Sequence, residues 1–290
     1  MDWLTQFLAE QGVSGLLISA VVALASGFLS SWLTYRFVKR QELDDAAERE
    51  YNLEARKRLY HAIGPLRFQL VIACKDLATR IVNYGYDPRY SMTIGNYYGR
   101  NTLYRLIRPI AIAELIEQQI TYADFSVDPA ALGLLGFKRA AASALSDSET
   151  ILDHPKANWS YQTEHLFSGT IGGLANSLII QDEDASNKKR PMNFHEFEEL
   201  IRKPKNLNLF EPLVTILDDF TITSKPIFWL RLICFGYICN EYVVSAGKAI
   251  GFESHPFDLD RFLSVSGDDF ILSNIEKYKE VFHSLARTRL

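Results

Sequence analysis

Hydrophobic and polar positions divide the chain sharply near residue 35. From Val13 to Tyr35 there is no Asp, Glu, Lys, Arg or His. At about 1.5 Å per residue, a helix over that stretch spans roughly 34 Å, enough for a hydrocarbon core of about 30 Å. The pattern predicts one transmembrane helix over 13–35. A short amphipathic N-terminus over 1–12 precedes it, with Trp3, Leu4, Phe7 and Leu8 on one face. From Arg36 to Tyr60 both signs of charge alternate without Gly or Pro. Mixed charge at helical spacing predicts a solvated juxtamembrane helix over 36–63, and its few apolar positions sustain no heptad.

The remainder, 64–290, reads as one α-helical domain. Gly64-Pro65 predicts a break and a fresh helix start. Leu66, Leu70, Ala73, Leu77 and Ile81 then recur at helical spacing. A Tyr- and Gly-rich loop over 84–100 leads to a helix over 102–122, where Pro109 predicts a kink or a split. Asp128-Pro129 opens a helix to about Leu145, and Asp153-His154-Pro155 predicts a turn. Further helices are expected over 158–180, from Asn193 through a capping box with Glu196, over 209–220, over 226–250 and over 268–287. No run of alternating strands occurs. The fold class is mainly α: a transmembrane helix and helical stalk followed by an irregular helical bundle.

Composition narrows the class. The net charge of −4 and pI near 5.9 argue against a nucleic-acid partner. Three sparse cysteines, Cys74, Cys234 and Cys239, do not form a disulfide framework. Residues 1–12 carry acids but no Lys or Arg, whereas Arg36, Lys39 and Arg40 follow the apolar run. The positive-inside rule therefore predicts an outside N-terminus and a cytoplasmic C-terminal domain. Trp3, Trp32 and Tyr35 suit an aromatic belt at the two borders. Ala23-Leu24-Ala25 resembles a signal-peptide cleavage site, but the basic n-region is missing and the apolar run continues past it.

Candidate chemistry is sparse. Gly15, Ser19, Ala23, Gly27 and Ser31 recur every four residues, a low ridge on which a second membrane helix can pack. Arg231, Glu241, Ser245 and Lys248 fall in one arc of the apolar 226–250 helix and predict a buried polar stripe. Those charges also argue against a second membrane span. Asp124, Asp128, Asp153, His154, Asp258 and Asp260 lie near helix ends, where carboxylates cap and turn. His195-Glu196-Phe197-Glu198-Glu199 lacks the second His of a zinc helix, and Cys234 and Cys239 point apart. Ser168 to Gly173 is Gly-rich without the strand or Lys of a phosphate loop, so close helix packing is expected there. No cofactor or metal is implied.

Gly64-Pro65-Leu66-Arg67-Phe68-Gln69-Leu70, Asn101-Thr102-Leu103-Tyr104-Arg105-Leu106 and Tyr122-Ala123-Asp124-Phe125 follow the single anchor in that order. Together they resemble a group of uncharacterised bacterial single-pass, membrane-anchored helical proteins. The resemblance covers the first half of the chain and implies a bacterial inner-membrane address, but no activity. The functional expectation is a non-enzymatic interaction or scaffold module, with the lipid bilayer and an unidentified protein as partners. The alternative is a membrane effector that self-associates through its anchor as a homo-oligomer in a stress or antiviral response. A membrane-bound hydrolase comes third, and it requires the polar stripe to line an open pocket.

Overall fold

The computed structural model describes residues 2–120, 129–182, 189–248, 251–252 and 256–289, with side chains at 20–119, 133–182, 189–248, 251–252 and 256–287. The fold is mainly α. In chain order it comprises α1 (Asp2–Tyr86), α2 (Tyr97–Ile120), α3 (Pro129–Ser146), α4 (Ser168–Ser177), β1 (Ile179–Gln181), β2 (Lys189–Pro191), α5 (Phe194–Ile201), α6 (Pro204–Leu207), α7 (Glu211–Leu217), α8 (Pro226–Tyr242), α9 (Leu259–Ser264), α10 (Asp269–Ser273) and α11 (Ile275–Arg289). The chain divides into two units, residues 1–55 and 56–290.

Within the first unit every side chain from residue 20 to 51 is exposed. Leu24 and Phe28 are 75% and 81% accessible, so this apolar surface is uncovered among the described residues. At its end Arg36 lies 4.8 Å over the Trp32 ring, and Lys39 Nζ donates to Tyr35 Oη at 3.5 Å. Cations reaching back along rings suit a border between hydrocarbon and water. Two stretches of the described helices are long and apolar enough to cross a membrane. This one is wholly unburied, whereas the other, within Pro226–Gly247, is 89% buried.

The second unit is built on α8, whose residues from Ile227 to Asn240 are all buried. It packs on α3 and α11, while α2 packs on α3 and α4. Trp229, Phe228 and Phe235 are fully covered, each contributing about 1.5–3 kcal/mol of apolar burial. Polar tips are tied as well: Trp229 Nε1 donates to the Phe262 carbonyl at 2.9 Å, and Tyr278 Oη to that of Ile151 at 3.0 Å.

Several predicted boundaries are corrected. α1 runs through Gly64-Pro65 without a break, and the division of units falls at residue 55 instead of 63. Leu59, Ile63, Leu66 and Leu70 form one buried seam across the proline, and the exposed Pro65 lies off it. Burial on both sides outweighs the one hydrogen bond that proline removes. Pro109 likewise sits inside an uninterrupted α2. The helix expected over 158–180 shrinks to α4. Before it, Asn158 Oδ1 accepts from Ser160 N–H and Gln162 Oε1 from Phe167 N–H, local bonds that replace helical ones. After it, Ile179 and Ile180 enter a two-stranded antiparallel hairpin, with Ile179 opposite Pro191. The glycines of α4 do not serve close packing, since a Cβ at Gly169, Gly172 or Gly173 meets nothing within 4 Å. The capping box at Asn193 and Glu196 forms as predicted. Asn274 divides the C-terminal helix into α10 and α11.

Candidate functional site

The polar stripe does not survive as a unit. Arg231 is fully buried, Glu241 is half-buried, and Ser245 and Lys248 are exposed. The reason is a π-turn over Val243–Gly247, which shifts the register after α8 and rotates the later residues away from the arc. Arg231 Nη1 donates to the carbonyls of Ala144 and Asp147 at 3.1 and 3.0 Å, closing the C-terminal end of α3. Burial pulls its guanidinium down to about 10. Glu241 lies beside Tyr237; burial first, then that carboxylate, push the phenol up to about 12. None of these four residues lines the cavities described below.

The other candidates are also distributed. Ala23, Gly27 and Ser31 are exposed in the first unit, and a Cβ at Gly27 meets nothing within 4 Å. The side chains of Gly15 and Ser19, and all of Asp124 and Asp128, lie outside the described residues. Asp258 caps α9 by accepting from Arg261 N–H, and Asp260 pairs with Lys279 at 2.8 Å. Asp153 stands in the turn with φ of 49°, and His154 is buried against Asp268 at 3.0 Å. The three cysteines are free and buried, and burial, followed by a hydrogen bond to Cys239, raises the Cys74 thiol. Buried thiols held protonated are poor nucleophiles. No group of three or more His, Cys, Asp or Glu suited to a metal ion occurs among the described residues.

A site that the sequence reading did not isolate lies where α1 ends and α2 begins. Asp76, Arg80 and Asn83 step by four and three along one face of α1, with Asp87 just past its end, while Cys74, Leu77, Ile81 and Tyr84 go to the core. The polar face, Tyr90 from the connecting loop, and Tyr98 and Arg105 from α2 enclose a cavity of about 750 Å³. That lies within the range of roughly 300–1,000 Å³ usual for small-molecule sites. Gly99 lets the loop approach α2: a Cβ there would overlap the carbonyl oxygens of Met92 and Thr93. Its N–H donates to Asn96 Oδ1 at 2.8 Å.

The electrostatics of this cavity are cationic. Its two acids are already engaged. Arg89 grips Asp87 with bonds of 2.6 and 2.7 Å and holds that carboxyl below its usual range, and Arg108 pairs with Asp76 at 3.4 Å. Lys75, Arg80 and Arg105 have no carboxylate bond among the described residues. Arg80 is 9% exposed; Nη2 donates to Asn101 Oδ1 at 2.6 Å, and the buried Nη1 has no partner among the described residues. Its guanidinium lies 3.9 Å over Tyr98, which stacks on Tyr90 at 5.0 Å and 15°. Arg105 gives Nη1 to the Asp76 carbonyl at 3.0 Å, and burial, then the nearby Arg80, lower its pKa. The sequence signal for this site was the Tyr-rich 84–100 loop between two arginine-bearing helices. A second cavity of about 590 Å³ has its Arg100 tied to Glu198 at 3.1 Å and so offers less unpaired charge.

No family model, curated protein or solved structure matches this chain. The functional reading therefore rests on geometry and charge alone.

Proposed function

We propose that the chain is a membrane-tethered helical interaction module of the bacterial inner membrane, with its N-terminus outside and residues 56–290 in the cytoplasm. The observation that carries this reading is the contrast between the two apolar helices: the N-terminal one is uncovered and flanked by cations, while the other is core. A continuous exposed apolar surface of that length needs a solvent of its own kind. The module character draws support from the α1–α2 cavity, whose cations and rings suit binding. The test is alkaline carbonate extraction of the full chain expressed in bacteria. Full retention in the membrane pellet is expected, and release into the supernatant would overturn the anchor.

A second reading, self-association in the membrane, is favoured by the open ridge at Ala23, Gly27 and Ser31. In lipid, close backbone approach at small residues holds helices together. Gly27→Ile is expected to abolish self-association of the anchor in a membrane two-hybrid assay, with Leu24→Ile unchanged. Equal signals for the parent and both variants would remove the homo-oligomer and leave a monomeric tether.

A further inference from the structure

We infer that the α1–α2 cavity binds a small phosphate ester bearing a planar ring, a ligand of the nucleotide class, with the phosphoryl group among Lys75, Arg80 and Arg105 and the ring on Tyr90 and Tyr86. The inference goes beyond membrane anchoring and does not depend on it.

Three observations converge. First, the cavity holds three cations against two acids, and the acids' bonds go to other arginines, Asp76 to Arg108 and Asp87 to Arg89. Like charges so crowded call for an anion, and arginines suit the planar faces of phosphate oxygens. Second, Arg80 is fixed beside the cavity: Nη2 donates to Asn101 Oδ1 at 2.6 Å and the guanidinium lies 3.9 Å over Tyr98, with no carboxylate bond among the described residues. A cation held in place in this way meets an anion with little ordering cost. Third, the mouth is aromatic. Tyr86 and Tyr90 are 50% and 56% exposed, and Tyr90 is already held flat against Tyr98, which lies under the Arg80 guanidinium. Arg261 lies 4.1 Å over Tyr86. Rings fixed in place by such contacts are platforms on which a base stacks without further ordering cost. A bare phosphate, or the headgroup of a phospholipid, makes no use of them.

The experiment is isothermal titration of the full chain in nanodiscs of neutral lipid, without divalent cations, using ATP, adenosine, glycerol 3-phosphate and inorganic phosphate as probes. ATP is expected to bind, with adenosine and glycerol 3-phosphate each at least about tenfold weaker and inorganic phosphate competing for the site. Arg105→Gln and Lys75→Gln each remove one charged contact and are expected to weaken ATP by about 10- to 100-fold. Both residues are only half-buried, so these variants are expected to keep the parent's helical circular dichroism. Tyr90→Ala is expected to weaken ATP by about 5- to 100-fold and leave phosphate competition unchanged. Three results would overturn the inference: no binding of ATP at millimolar concentration, ATP binding unaffected by both cation variants, or glycerol 3-phosphate equalling ATP. The last would assign the cavity to a ringless phosphate, as a lipid headgroup carries.

Discussion

Arg231→Ala is expected to lower the free energy of unfolding by about 3–5 kcal/mol, measured by urea denaturation of the detergent-solubilised chain. Two losses add. The substitution leaves a cavity in the fully buried face of α8, and it removes the donors that satisfy the Ala144 and Asp147 carbonyls at the end of α3. A buried acceptor left alone costs about 1–3 kcal/mol. Against these stands the desolvation of a charge whose Nε and Nη2 have no partner among the described residues. Arg231→Met keeps the volume and drops that charge but supplies no donor, so it is expected to recover the cavity part of the loss and not the part due to the two carbonyls. A midpoint for Arg231→Ala within experimental error of the parent would mean that α3 is closed by something else.

Asp268→Ala is expected to cost a similar amount, about 3–5 kcal/mol at neutral pH, because it undoes a whole knot. Oδ1 accepts from Phe270 N–H, Ile271 N–H and His154 Nε2, and Oδ2 from Lys156 Nζ at 2.7 Å. Lys156 N–H donates to His154 Nδ1 at 3.2 Å, so the ring carries its proton on Nε2 and gives it to Asp268. Burial alone would raise this carboxyl. The bonds from Lys156, His154 and Ile271 outweigh it and hold the group well below the usual carboxylate range. The folded state therefore binds the proton less readily than the unfolded chain, whose Asp titrates near 3.9. The stabilisation is complete above about pH 4 and is lost as pH falls further. Urea midpoints from pH 7 down to pH 3 should drop steeply for the parent and less for Asp268→Ala. Asp269→Ala, an exposed neighbour with the same charge change, is the control and should follow the parent. Parallel pH curves for Asp268→Ala and the parent would remove Asp268 from this role.

These two residues also show what could be read from the chain in advance. Most helices were legible, because periodicity reports the buried face directly; α3, α5 and α8 start where Pro129, Asn193 and Pro226 predict. Local caps were legible too, since an Asp or Asn and its N–H partner are neighbours in sequence. Long-range ties were not. Arg231 closes α3 from 84 to 87 residues away, and Glu164 accepts from Ile227 and Phe228 N–H at the start of α8. Nothing in the spacing of Arg231, Glu241 and Lys248 announces a π-turn, so an arc drawn at 100° per residue fails beyond Tyr242. The seam through Leu59, Ile63 and Leu66 shows the converse, tertiary burial carrying a helix through a proline that local rules would stop at. The α1–α2 cavity was half legible. Its tyrosines and arginines stand out as types, but the loop that folds Tyr90 onto Tyr98 depends on the glycine at 99 and its contact with Met92 and Thr93.

The central claim, an inner-membrane tether with its helical domain in the cytoplasm, turns on the charge step from Asp2 and Glu10 to Arg36, Lys39 and Arg40. The most direct measurement is a pair of reporters fused after Leu290 in living bacteria, one active only in the periplasm and one fluorescent only in the cytoplasm. The account predicts a silent periplasmic enzyme and a fluorescent signal confined to the cell envelope. A strong periplasmic activity with no fluorescence would contradict it.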